Sequence, residues 1–99
     1  MSDQPDFRGN QKLIVLRDLA RSENGKLNET MLISTLDIFG YAFDSTMIRD
    51  LLKEIEAAGA VRTTIAGGVI MVAEITREGE NHLEYRGTPI AGIPRPSRR

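Results

Sequence analysis

Residues 44–79, DSTMIRDLLKEIEAAGAVRTTIAGGVIMVAEITREG, read as a capped amphipathic helix, a glycine stop, a tight β-hairpin and the start of a second capped helix. Asp44 and Ser45 are both good N-caps, and Phe43 sits where an apolar residue can staple the entry. Ile48, Leu51, Leu52 and Ile55 then recur at i, i+3, i+4 and i+7, one face of a helix that Gly59 closes. Past Gly59 the period shortens to two: Val61, Thr63 and Ile65 alternate with Arg62 and Thr64. Gly67-Gly68 offers two positive-φ residues for a two-residue turn, which would pair Ile65 with Ile70, Thr63 with Val72 and Val61 with Glu74. Residues 69–75 form the return strand. Thr76 caps a last helix running to about residue 85, with Gly79 in its first turn allowing close approach to the hairpin.

Upstream, a helix is expected from near Asn10 to about Ser22, with Leu13, Leu16 and Leu19/Ala20 on its apolar side. Asn24-Gly25 ends it in a tight turn. Asn28 is the expected cap of a second helix, with Glu29 favourably placed at its positive end. Leu32, Leu36 and Phe39, helped by Ile33, form that helix's buried stripe before Gly40 stops it. Residues 1–9, with Pro5 and Gly9, are expected to be a disordered lead-in. Residues 10–86 make the folded domain. Residues 87–99, GTPIAGIPRPSRR, hold three prolines and two glycines and read as an extended arm.

Composition bounds the rest. Ninety-nine residues support one modest core. Thirteen Lys/Arg against fourteen Asp/Glu leave a net charge of −1, so no global pull toward a polyanion exists. There is no cysteine, which excludes disulfides and thiolate chemistry. The apolar runs are too short for a membrane span, and the polar start is unlike a secretory signal. The expectation is a soluble intracellular protein.

The order helix, helix, helix, hairpin, helix is α+β: a winged helix-turn-helix, with three helices, a hairpin wing, a short C-terminal helix and an extended tail. The chain resembles winged-helix proteins of the MarR/ArsR/PadR type, through Gly59-Ala60-Val61 after the third helix and Thr76-Arg77-Glu78-Gly79 after the wing. More narrowly it resembles a family of short proteins of Mu-like phages and prophages. The carrying residues are LNETMLISTLDIFGYAFDSTMIRDLLKEIEAAGAV (27–61), ITREG (75–79) and PIAGIPRP (89–96). Glu54 departs from that pattern, where an aromatic residue is expected. The resemblance supplies no catalytic residue. The expectation is a DNA-binding winged helix in the cytoplasm of a bacterial host cell, acting in phage gene regulation or DNA transactions, with double-stranded DNA as partner.

With Ile48, Leu51, Leu52 and Ile55 inward, Ser45, Thr46, Arg49, Asp50 and Lys53 point outward. Arg49 then addresses a guanine and Ser45 and Thr46 hold phosphates, with Lys53 and Arg62 flanking. The charge runs against this. Residues 44–58 hold two bases and four acids, a sum of −2 beside a polyanion. Positive charge gathers in the tail instead, where Arg95, Arg98 and Arg99 can track phosphates. Ile90 and Ile93, between prolines, suit an arm strapped across a neighbouring subunit. The return strand is apolar on both faces, so Val69 and Met71 are candidate contacts with a partner, and a homodimer is expected. The alternative is a protein-interaction winged helix, such as a phage assembly or packaging accessory factor, without DNA contact.

Catalysis is not expected. His82 is the only histidine, and with Glu78 at i,i+4 it reads as a helix-surface pair, short of a metal site. No phosphate-binding glycine loop with lysine and no serine nucleophile elbow is present. No cofactor or metal is expected.

Overall fold

A computed structural model describes residues 6–97. Four helices and three strands alternate as α1 (Phe7–Arg21), β1 (Lys26–Asn28), α2 (Glu29–Ile38), α3 (Ser45–Ala57), β2 (Val61–Ala66), β3 (Ile70–Ile75) and α4 (Arg77–Leu83). The strands form one antiparallel sheet in the order β1-β3-β2. This α+β layout is compatible with a winged helix.

The helix termini follow from side-chain chemistry. Asn28, Asp44 and Thr76 each accept a hydrogen bond from the amide three residues on, at 2.9, 2.8 and 3.0 Å. The amide of Ala60 reaches back to the carbonyl of Ile55 at 2.9 Å while Gly59 takes a φ of 89°. That left-handed glycine closes α3 and turns the chain into β2. Tyr41 and Gly40 end α2 in the same way.

Leu16 and Leu19 of α1, Leu32 and Leu36 of α2, and Ile48, Leu51, Leu52 and Ile55 of α3 are fully buried together. Ala73 and Ile75 of β3 complete the core from the sheet. Thr76 locks the sheet to α3: its amide donates to the Ala60 carbonyl and its hydroxyl donates to that of Gly59 at 2.7 Å. Gly79 lies so close that a Cβ there would stand 2.4 Å from the Ala60 oxygen. The close approach expected at Gly79 is thus onto the α3–β2 junction.

Several expectations are corrected. α1 begins at Phe7 instead of Asn10, because Asp6 caps it by accepting from the Gly9 amide at 2.9 Å. Residues 7–9 are therefore helical, and residues 1–5 of the expected lead-in lie outside the described residues. β1 was not foreseen; three residues are too short to show a period, and their partners lie far along the chain at Glu74, Ala73 and Val72.

The hairpin turn spans three residues, Gly67, Gly68 and Val69, with the Val69 amide donating to the Ala66 carbonyl. The register is therefore Ala66 with Ile70, Ile65 with Met71 and Val61 with Ile75, one residue from that expected for a two-residue turn. Such a slip moves side chains between faces. Met71, Ala73 and Ile75 point into the core, while Ile70 and Val72 share the outer face with Arg62 and Thr64. Phe39 is a further correction. It caps the C-terminus of α2, where the chain turns away, and its ring is 55% exposed instead of completing the buried stripe.

Candidate functional site

The cationic groups of α3 face carboxylates of the same chain. Arg49 grips Glu29 as a fork, Nε to Oε1 at 2.9 Å and Nη2 to Oε2 at 2.7 Å, and Nη2 also donates to the Val69 carbonyl at 2.8 Å. Glu29 is only 4% exposed, and its Oε2 accepts the Met71 amide as well, at 2.6 Å. One buried carboxylate thus ties the start of α2 to the middle of α3 and to the hairpin. The Arg49 fork holds Glu29 below the usual carboxylate range, outweighing burial, which pushes the other way; Glu29 in turn raises Arg49. Arg49 is thus engaged within its own domain through Nε and Nη2, with its side chain 38% exposed. The helical period places Arg49 outside the apolar face, but the hairpin folds along that flank.

Lys53 behaves likewise. Its Nζ lies 3.1 Å from Glu56 and 3.2 Å from the Thr63 hydroxyl. Glu56 also accepts the amide and hydroxyl of Thr63, both at 2.8 Å, and the amide is the main cause of its lowered pKa. On the opposite flank Glu54, the residue that departs from the resemblance, pairs with Arg8 and with Lys12 at 3.2 Å. The Arg8 hydrogen bonds are the first cause of its lowered pKa. Glu54 thereby joins α3 to α1. Ser45 and Thr46 remain exposed at the N-terminus of α3, near Asp50, which has no ion-pair partner among the described residues. Arg62 is exposed on the outer sheet face, in a cross-strand row with Glu74 and Lys26.

The tail is not a free arm. His82 is fully buried, and its two ring nitrogens hold opposite ends of it: Nδ1 accepts the Ile90 amide at 3.0 Å, and Nε2 lies 3.2 Å from the Pro94 carbonyl. An Nδ1 that accepts must be unprotonated, which leaves Nε2 as the donor to Pro94. Arg95 donates to the carbonyls of His82, Arg86 and Gly87, and its guanidinium lies 5.1 Å from the centre of the Tyr85 ring. The Tyr85 hydroxyl donates to the Pro96 carbonyl. Ile93 is 5% exposed within the chain's own core, and Ile90 packs beside it.

Three expectations change with this. His82 and Glu78 are not a surface pair, since the imidazole turns inward to the tail. Ile90 and Ile93 strap their own domain, not a neighbour. Arg95 serves backbone carbonyls instead of phosphates, whereas Arg98 and Arg99 lie outside the described residues. Met71 is likewise withdrawn from any partner, being 5% exposed in the core, while Val69 stands out at the hairpin tip.

Apolar surface concentrates elsewhere. Asp37, Ile38 and Phe39 are three consecutive exposed residues at the end of α2, with Ile38 80% exposed. On one side Phe39 borders a groove between α1 and α2, lined also by Ile14, Arg17, Asp18 and Arg21. On the other, Ile38 borders a shallow depression with Ile33, Ala42 and Phe43. A helical stripe read as buried gave no sign of this ridge. Among the described residues, no three His, Asp or Glu side chains are placed to share a metal ion, and no helix is long and apolar enough to cross a membrane.

No family model, curated protein or solved structure matches this chain.

Proposed function

We propose that this chain is a non-catalytic winged-helix module that docks on a protein surface through the end of α2. In this reading the module serves as an accessory factor in phage assembly or packaging. The observation that carries this reading is a contrast between two faces. On α3, both cations are engaged by Glu29 and Glu56, and Asp50 has no cation within ion-pair distance among the described residues. At the end of α2, Ile38 and Phe39 put large apolar side chains into water. A polyanion gains little from the first face, and a protein partner gains most from the second. Fluorescence anisotropy with a long duplex at low salt tests the reading. No saturable binding is expected; tight, salt-sensitive binding weakened by Lys53→Ala would overturn it.

Duplex DNA is the second reading, in phage gene regulation or DNA transactions. It is favoured by the exposed Ser45 and Thr46, and by Arg17, Arg21, Lys26 and Arg62, which face no carboxylate within ion-pair distance among the described residues. On this reading Arg62 contributes a phosphate contact beside α3. Affinity should then fall steeply with ionic strength, and Arg62→Ala should lower the slope of log K against log salt by about 1.

A further inference from the structure

His82 fastens the tail to the domain through a ring that can do so in one protonation state. Both of its nitrogens face the tail, Nδ1 accepting the Ile90 amide at 3.0 Å and Nε2 lying 3.2 Å from the Pro94 carbonyl. Between those points the chain turns, with Gly92 at a φ of 83° and the Ile93 amide donating to the Ile90 carbonyl at 3.3 Å. That turn seats Ile93 in the core. A protonated imidazole has two N–H donors and no acceptor. Its Nδ1–H would stand against the Ile90 N–H.

The surroundings offer an imidazolium nothing in exchange. On α4, Glu78 and Arg86 lie one turn to either side of His82 and are both exposed, while Glu80 and Glu84, two residues away, fall on other faces. Tyr85 gives its hydroxyl to Pro96. In the tail, the Arg95 guanidinium donates to the His82 carbonyl at 2.8 Å, a cation beside the ring's own backbone. On α1, which packs on α4, Arg8 and Lys12 are bridged to Glu54, and a Cβ at Gly92 would stand 3.6 Å from the Lys12 Nζ. Among the described residues no carboxylate lies within ion-pair distance of His82. A charge buried without acceptor or counter-ion is costly. Because both nitrogens face the tail, water reaches them only when residues 90–94 lift.

We infer that His82 is a proton-operated latch: the tail closes over the neutral ring and is released when the ring takes up a proton. The released state binds one proton more, so closure weakens as pH falls, by up to about tenfold per pH unit. Histidine is the side chain that changes charge between about pH 5 and 8. Release uncovers Ile90, Ile93 and the apolar seat beneath them, and it frees Arg95 from the carbonyls of His82, Arg86 and Gly87. Pro89, Pro94 and Pro96 stiffen the released segment, so closing it orders little and one proton decides the balance. The latch is independent of the docking reading of the α2 ridge.

NMR on the nitrogen-15-labelled full chain tests it, following the His82 ring nitrogens and the backbone order parameters of the tail from about pH 7.5 to about pH 5. At the upper end the ring should be neutral and Ala91 and Ile93 rigid, at about 0.85. At the lower end the ring should be charged and both values below about 0.6, with one midpoint shared by ring and tail. The amides of Leu52 and Ala73 should keep their positions throughout, and His82→Ala should leave the tail mobile across the whole range. A tail still rigid over a charged ring would overturn the latch, as would a ring that stays neutral to the lower end. So would a tail in His82→Ala that follows pH as the wild type does. Core amides lost together with the tail would overturn it too, since the whole domain and not the latch would then be responding.

Discussion

Gly79 is a residue at which propensity and packing disagree in sign. It lies in the first turn of α4, where alanine ordinarily favours a helix by about 1 kcal/mol. Yet a Cβ there meets the Ala60 carbonyl at 2.4 Å, and a backbone atom cannot swing aside as a side-chain tip can. Gly79→Ala should therefore destabilise, by about 1–3 kcal/mol in urea unfolding; a stabilised variant would contradict the close junction. His82 makes a parallel case. His82→Ala leaves the Ile90 amide and the Pro94 carbonyl without their partners and should free the tail from its own domain. Trypsin should then cut after Arg86 about tenfold faster than in the wild type, with the core still intact. Cleavage at the wild-type rate would mean that the imidazole does not hold the tail.

At the scale of elements, α3 is held at both flanks by carboxylates whose pKa values are lowered. Arg49 lowers Glu29, Arg8 lowers Glu54, and the Thr63 amide lowers Glu56. A carboxylate with a lower pKa in the folded state adds stability above its unfolded value, about 4.3, and loses it as pH falls through the folded value. Their contribution to the urea midpoint should thus hold steady from neutral pH to about 5 and drop in more acidic solution. Glu29→Gln should reduce that acid dependence. Glu29→Ala should cost about 2 kcal/mol at neutral pH, because the buried Met71 amide loses its acceptor.

What the sequence made legible at this scale was local. The caps at Asn28, Asp44 and Thr76, the apolar face of α3 and the Gly59 stop are each specified within a few residues. Glu29 looked only like a first-turn acid because its partners, Arg49 and Met71, lie 20 and 42 residues away. β1 was hidden for the same reason. The hairpin register failed by one residue because Gly67-Gly68 is compatible with both a two-residue and a three-residue turn.

For the whole molecule, these contacts redistribute the surface. The tail closes on His82, Met71 and Ile93 enter the core, and the apolar residues left outside include Ile38 and Phe39 at the α2 ridge and Ile65 and Val69 at the hairpin. Arg49 and Lys53 are engaged by carboxylates of their own domain, and Arg95 by its backbone carbonyls. That redistribution is the central claim, and NMR titration of the nitrogen-15-labelled chain with a duplex at low salt tests it most directly. The account predicts that the amides of Ser45, Thr46 and Lys53 and the side-chain Nε–H of Arg49 stay where they are as duplex is added. Shifts concentrated at those four residues, with the Arg49 Nε–H leaving Glu29, would contradict it.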